Sequence, residues 1–201
     1  MDDLHMQNSG IDCGINVNVA IRHVNKDTGV IREFEGHNIA TRNMILGIYK
    51  YLRGDFAKDN TEDDMYDYFP QFLILGAGDT PATYNDNTLT YPLYKDGSID
   101  DSPSPYTQGS VLARYEVGSS GYSDSTRTIT LPLRFYVPSN ELAGTSADPT
   151  IIKEVGLVSK NGNLCARYVI TSPNVTPIEK AENDFIDVLW EISITAVQPA
   201  S

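Results

Sequence analysis

Alternation of apolar and polar residues is the feature that most limits what this chain can fold into. It runs through three long segments, residues 13–24, 126–137 and 183–197. Because successive side chains of a strand point to opposite faces of a sheet, this period of two predicts half-buried β-strands. Pro132 lies inside the second segment, and its missing N–H predicts a strand at a sheet edge or beside a bulge. The third segment is unusually long, which predicts a central strand.

Two turns join strand signals into hairpins. Residues 25–29, NKDTG, are rich in turn residues, and residues 30–35 after them can return as the second strand beside the first alternating segment. In residues 151–170, IIKEVGLVSKNGNLCARYVI, two apolar runs flank Asn161 and Gly162. Asn-Gly is typical of a type I′ turn, in which both central residues need a positive φ. The sequence therefore predicts two β-hairpins.

Three further residues of the second hairpin have structural interpretations. Gly156 inside a strand pattern indicates a bulge or a close approach of backbone. Glu154 and Arg167 can pair across the two strands, and exposed cross-strand charge pairs contribute only about 0.2–1 kcal/mol. With Asn161 and Gly162 of the turn, these residues are predicted to build the hairpin rather than to carry chemistry.

One segment has helical spacing. Its apolar residues recur every three to four positions, which predicts a helix from about Thr41 to Leu52. Asn38 or Thr41 is the expected N-cap, and Gly54 follows the expected end. One helix at about 41–52 with about seven or eight strands predicts a mainly β fold, an antiparallel β-sandwich or a flattened barrel.

The length of 201 residues favours a single domain. We expect residues 13–197 to form it, with an N-terminal arm at 1–12 and a C-terminal tail at 198–201. Two long loops are predicted at 55–68 and 79–109, the second with a short strand around Leu89 to Leu93. The first loop is acidic, but it lacks the spacing of an EF-hand, so no calcium site is predicted.

The charge balance restricts the partners. Fifteen Lys and Arg against 27 Asp and Glu give a formal net charge of −12, which repels phosphate backbones and argues against direct binding of nucleic acid. No apolar run reaches about eighteen residues and the first residues, MDDLHMQNSG, are polar and acidic. We therefore expect synthesis in the cytoplasm without membrane insertion. Cys13 and Cys165 lie in apolar runs and are predicted to be buried, reduced thiols.

The sequence offers little for catalysis. His5, His23 and His37 are scattered, and His23 is expected on the polar side of the first strand. The GSSG of residues 118–121 is not the G-x-S-x-G of a nucleophile elbow, so a turn is expected there. The glycines of residues 76–78 lack the lysine of a phosphate-binding loop. We predict no catalytic, cofactor or metal site, and hence no enzyme.

Several of the twelve tyrosines lie in or beside predicted loops. Tyrosine combines a large contact area with a polar hydroxyl, so exposed tyrosines in loops favour an adhesive surface for protein or sugar. The alternative is that they close the ends of the sandwich. The candidate interface residues are Tyr84, Tyr91, Tyr94 and Tyr106.

Four stretches occur in a recognisable order: GHNIATRNMILGIYKYLRGD, FLILGAGDTPAT, IIKEVGLVSKNGNLCARYVI and TPIEKAENDFIDVLWEISI. This order, over roughly residues 15–196, resembles a widespread group of tailed-bacteriophage virion proteins of the tail, baseplate and fibre-attachment kind. The loops at 55–67 and 79–109 depart from the pattern. The matching residues are Glu154, Gly156, Leu157, Asn161, Gly162, Leu164, Ala166 and Arg167 in the hairpin, and Lys180, Asp184 and Trp190 near the end.

The resemblance implies a non-enzymatic structural component of the virion, in the tail, baseplate or collar. Such a subunit is expected to form a symmetric homo-oligomer and to contact neighbouring virion proteins through residues 1–12, the 79–109 loop and sheet edges. Two alternatives stay open. One is a fibre module that binds a host-surface glycan or receptor, and the other is a capsid decoration protein.

Overall fold

The computed structural model describes residues 12–53, 68–100, 114–116, 119–120, 123–125, 128–170 and 175–197. The predicted arm, tail and acidic loop, together with Tyr106, lie almost wholly outside these ranges. In chain order the elements are β1 (Asp12–Asn25), β2 (Gly29–His37), β3 (Ile39–Ala40), α1 (Arg42–Arg53), β4 (Phe72–Gly76), β5 (Arg114–Glu116), β6 (Ser119–Ser120), β7 (Ser123–Ser125), β8 (Thr128–Val137), β9 (Thr150–Ile152), β10 (Glu154–Val158), β11 (Leu164–Val169), β12 (Ile178–Lys180) and β13 (Asp184–Val197).

The described strands form two main antiparallel sheets. The larger has the order β2-β1-β13-β8-β6, with β7 also paired to β8, and the smaller has the order β3-β11-β10-β4-β5. Strands β12 and β9 form a separate pair. Within the described strands both orders are open, so the mainly β, sandwich-type prediction is confirmed and no barrel closes. The extra strands, such as β6 and β12, have only two or three residues and therefore too little periodicity to detect.

The core lies between the two sheets, and the long strands β1, β8 and β13 contribute many of its buried side chains. On β13, Val188 and Trp190 are fully buried, and β1 and β8 flank this strand on either side. The predicted central position of the last strand is therefore confirmed. The smaller sheet contributes Val155 and Leu157 to the same hydrophobic cluster. Next to it lies a small second cluster of Ile74, Leu89, Val158 and Leu164.

Strand β8 lies next to the edge of its sheet. Its partner β13 pairs along the whole strand, whereas β6 reaches only to Leu133 and β7 only to Thr130. Pro132 falls in the gap between these short pairings, where no N–H is required from it. The expected turn at 118–121 is wrong for Ser119 and Ser120, because these two residues pair with β8 as strand β6.

His23 is a correction to the sequence analysis. It is 3% exposed and shares the inner face of β1 with Val19 and Ile21, instead of facing solvent. The reason is the period of two, which places all odd-numbered residues of this strand on one side. Its Nε2 lies 2.9 Å from Oδ2 of Asp184, whose Oδ1 accepts a hydrogen bond from Asn25.

Both predicted hairpins are present, but the second has a different turn. Gly29 and Gly162 have positive φ angles of 89° and 86°. Among the described non-glycine residues only Leu142 has a positive φ, so Asn161 does not, and the type I′ prediction is wrong. The N–H of Gly162 donates to the carbonyl of Ser159, and the register shifts beside the turn. This is a type I turn followed by a left-handed glycine, the usual solution for a longer loop.

Helix α1 confirms the helical prediction with bounds one residue later. Thr41 precedes its first residue, yet the Thr41 hydroxyl donates to the carbonyl of Leu164 and so ties the helix start to β11. Asn38, the other expected N-cap, has both side-chain polar atoms buried without a described partner. No helix in the described ranges has the length and apolarity needed to cross a membrane.

Candidate interaction surface

The pair Glu154 and Arg167 is buried, which corrects the expectation of an exposed pair. Glu154 is 0% and Arg167 2% exposed, and Nε of Arg167 lies 2.9 Å from Oε2 of Glu154. All five residues of β10 are buried, because residues 78–100 cover the face that the core does not use. We call residues 78–100 the anchored segment.

Glu154 fastens the anchored segment by its backbone. Its Oε1 accepts hydrogen bonds from the N–H groups of Gly78 and Tyr91, at 3.1 and 3.0 Å. Its Oε2 accepts one from the N–H of Thr90, at 3.2 Å. Three backbone donors and a guanidinium therefore surround one buried carboxylate, which offsets the cost of removing its charge from water.

Arg167 holds the same segment through other atoms. Its Nη1 lies 2.7 Å from Oδ2 of Asp86, and its Nη2 donates to the carbonyl of Thr80 and to the hydroxyl of Thr90. Burial alone would raise the pKa of Asp86, but hydrogen bonds from Thr83 and the charge of Arg167 outweigh it and lower this pKa. Asp86 therefore stays ionised, and the network holds one cation between two anions.

Gly76 and Gly78 make room for this network. A Cβ atom on Gly78 would lie 2.5 Å from Oε1 of Glu154, and one on Gly76 would lie 2.6 Å from the same atom. Such distances are shorter than van der Waals contact. The two glycines that superficially suggest a phosphate loop in the sequence therefore allow a carboxylate to approach the backbone closely.

Main-chain hydrogen bonds complete the attachment. The N–H of Ala77 donates to the carbonyl of Tyr91, and the N–H of Leu93 donates to that of Leu75. On the helix side, the N–H of Arg42 donates to the carbonyl of Tyr84. In place of the short strand expected near residues 89–93, the structure has isolated bridges at Pro92 and Leu93. The anchored segment is thus fixed at several points along its length.

The anchored segment displays part of the predicted tyrosine set. Tyr84 and Tyr91 are 47% and 45% exposed, and Ile99 adds an exposed apolar side chain. Tyr94 is half-buried and packs against the small second cluster, which agrees with the alternative of a tyrosine closing the sandwich. Tyr106 lies beyond the described residues. The structure therefore distinguishes the exposed candidates, Tyr84 and Tyr91, from Tyr94, which packs against the protein interior.

Two further titratable groups, Cys165 and Asp184, are buried. Cys165 is a buried free thiol, as predicted, and its burial raises the pKa, which keeps it protonated. The side chain of Cys13 is not among those described. Burial tends to raise the pKa of Asp184, but hydrogen bonds from the Ala181 N–H, Asn25 and His23 lower it overall. Within the described residues, no group of three or more His, Cys, Asp or Glu is placed to hold a metal ion.

Searches with protein-family models, curated proteins and solved structures found no match to this chain.

The sequence analysis missed Asp86 and the two glycines as members of the network. One signal was present: Glu154 is followed directly by the apolar run Val155–Val158, in a strand that pairs on both sides, between β11 and β4. A central strand buried on both faces forces any charged side chain within it to find partners. The identity of those partners depends on how a distant loop folds back, which no local pattern encodes.

Proposed function

We propose that the protein is a non-enzymatic structural component of a tailed phage particle, in the tail, baseplate or collar, which forms a symmetric multimer and contacts neighbouring virion proteins. The main support is the anchored segment, which holds Tyr84 and Tyr91 in place at the surface. A contact surface that is already ordered loses less conformational entropy on binding. Exposed tyrosines then contribute area and a polar hydroxyl, which suits contacts between proteins.

The internal use of charge gives further support. The ion pair of Glu154 and Arg167 and the hydrogen bond between His23 and Asp184 each engage groups of the same chain. Their described partners attach loops and strands to one another. In a scaffold of this kind the buried charges hold the fold together, and the outer surfaces, rather than an interior pocket, make the contacts with other proteins.

Size-exclusion chromatography with light scattering tests this proposal. We expect the wild type to form a defined multimer as its concentration rises, and the Tyr84→Ala/Tyr91→Ala double variant to dissociate at least tenfold more readily. Tyr136→Ala is the matched control, since Tyr136 is 52% exposed but lies on the larger sheet. A wild type that stays monomeric at high concentration, and that associates with no phage particle fraction, would overturn the proposal.

A receptor- or glycan-binding fibre module is the second candidate, and the same exposed tyrosines favour it. Aromatic rings on a rigid loop suit sugar rings as well as protein surfaces. Binding on a glycan array that Tyr84→Ala or Tyr91→Ala abolishes, in a chain that remains monomeric, would favour this candidate over a scaffold. A decoration protein differs only in location, so the position of its density in an intact particle would identify it.

A further inference from the structure

The outer face of the larger sheet contains a hollow at its centre. The register places Ala20 between Glu35 on β2 and Leu189 on β13, and it places Asn18 between His37 and Glu191. Residues directly opposite in neighbouring strands share a face, so these side chains lie together on the outside. They line a shallow depression of about 430 Å³.

The floor of this hollow is apolar. Leu189 is 39% exposed on a central strand, although its chain neighbours Val188 and Trp190 are fully buried. Ala20 lies directly opposite and offers only a methyl group, so one flank of the leucine is left open. An exposed leucine alone would need no explanation. Here it forms the base of a concavity with charged walls.

The walls carry two carboxylates that have no counterion among the residues the structure describes. On the same face Glu33 pairs with Arg22 at 2.9 Å, and Asp187 pairs with Arg134 at 2.8 Å. Glu35 and Glu191 have no ion-pair partner among the described residues. Within the described part of the chain, the hollow therefore has two unpaired carboxylates, one on each side of the apolar floor, in a chain with a net charge of −12.

We propose that this hollow receives a lysine or arginine side chain from a basic segment of a different protein. The aliphatic stem would lie on Leu189 and Ala20, and the cationic head would lie between the two carboxylates. Long basic side chains bind in this way, with the stem on apolar surface and the charge at a polar rim. The inference concerns a different face from the anchored segment and does not depend on it.

A second copy of this chain fits the hollow less well. If two copies met through this face, Glu35 and Glu191 of each would approach carboxylates of the other, and like charges in an interface are costly. The complementary surface is therefore basic, and this chain has a large excess of acidic residues. A heterotypic contact follows from this charge pattern.

Chemical shift mapping tests the proposal with a defined probe. The ¹⁵N-labelled full chain is titrated with the peptide acetyl-Gly-Arg-Leu-Arg-Gly-amide at low salt. We expect the largest shifts at the amides of Ala20, Leu189 and Glu191, and a marked loss of these shifts at high salt. An otherwise identical peptide with glutamate in place of arginine should cause none of them.

Two variants separate the hollow from general acidity. Glu35→Gln/Glu191→Gln should weaken binding of the arginine peptide at least fivefold, whereas the control Glu33→Gln, which removes a paired carboxylate, should change it less than twofold. Unchanged binding in the double variant, or shifts confined to other surfaces, would overturn the proposal. It would also be overturned if addition of unlabelled chain, without peptide, shifted the same amides, because the face would then be a contact between copies.

Discussion

Glu154 is a carboxylate at the start of a strand that is buried on both faces, and its hydrogen bonds hold a segment that is distant in the chain. Its partners are three backbone N–H groups and Arg167, so its charge is satisfied only when residues 78–91 are in place. A buried pair of this kind contributes modestly to net stability when intact. The loss of one partner is costly, because the other charge stays buried without compensation.

Arg167→Met should therefore lower the free energy of unfolding by about 3–5 kcal/mol. Urea denaturation measures this change. The control is Lys153→Met, since Lys153 pairs with Asp79 at the surface and such pairs contribute about 0–1 kcal/mol. Equal effects of the two substitutions would contradict the role assigned to the buried network.

Lys180 gives a prediction about pH. It is 0% exposed, and its Nζ donates to the carbonyl of Ser139 at 3.3 Å. Burial lowers the pKa of Lys180 from its usual value of 10.5 to about 8. The negative charges of Asp184 and Glu141 raise this pKa, but their effect is smaller than that of burial. Below about pH 8 both the folded and the unfolded chain carry this proton. Between about 8 and 10.5 the unfolded chain binds it more tightly, so stability from this group rises with pH.

In Lys180→Met this rise should be absent. The stability of the wild type relative to the variant should increase by on the order of 3 kcal/mol between pH 7.5 and 10.5. Urea denaturation at several pH values gives the comparison, and Lys153→Met controls for the loss of a lysine at the surface. A difference between wild type and Lys180→Met that does not change with pH would refute the assignment.

From the sequence, the position of a single residue on the inner or outer face could be predicted only where local periodicity determines it. The period of two, applied consistently, places His23 on the inner face with Ile21, and the error was to judge that residue by its polarity. The pairing of Glu154 with Arg167 follows from the hairpin. Their burial does not, because it depends on residues 78–91, which are more than sixty positions away in the chain.

At the scale of elements, the anchored segment behaves as part of the smaller sheet although it contains little regular strand. Its attachment depends on the closeness of Gly78 to Glu154, where an added methyl group would overlap both Oε1 of Glu154 and Cβ of Thr90 at 2.5 Å. Overlap with a buried and fully bonded carboxylate is difficult to relieve, because movement breaks hydrogen bonds.

Gly78→Ala should therefore detach the anchored segment locally before it unfolds the sheets. Hydrogen exchange should show at least tenfold faster exchange at the amides of Thr90 and Tyr91, which donate to Glu154. The control is Gly29→Ala, which has a positive φ but no neighbour within 4 Å of the added atom. It should cost about 1 kcal/mol and leave those two amides protected. Equal protection in both variants would argue against this attachment.

Long elements and the hairpin strands were predictable, whereas strands of two or three residues were not. The fourteen residues of β13 contain enough alternation to fix both its existence and its inner face. The turn at 159–163 was located by Asn-Gly, but its type depends on the shift of register beside it, which is a property of the paired strands. Strands of two or three residues, such as β6, arise because a neighbour offers free hydrogen-bonding groups.

At the scale of the whole molecule, two layers of unequal length are packed together. Strands β1 and β13 have fourteen residues each and span about 45 Å, whereas β4 and β10 have five each and span about 16 Å. The central pairing of the larger sheet joins residue 12 to residue 197, so it connects opposite ends of the described chain. The core is completed only when these ends meet.

A chain that ends at residue 183 should therefore fail to fold cooperatively. It lacks β13, and with it Ile186, Val188 and Trp190, which are fully buried between β1 and β8. Circular dichroism with thermal unfolding tests this expectation. A chain that ends at residue 197 is the control and should melt like the full sequence. A sharp transition in the shorter chain would show that the remaining strands form a core of their own.

The pairing of β1 with β13 also delays completion of the larger sheet until the end of the chain has been synthesised. About 160 residues separate the end of β1 from the start of β13, so at roughly 5–20 residues per second the ribosome needs roughly 8–30 s to deliver the missing strand. Throughout this interval the nascent β1–β2 hairpin carries Val17, Val19 and Ile21 without their final neighbours. The hairpin therefore exposes apolar side chains while translation continues, and shielding of these side chains in this interval favours a higher yield of native protein.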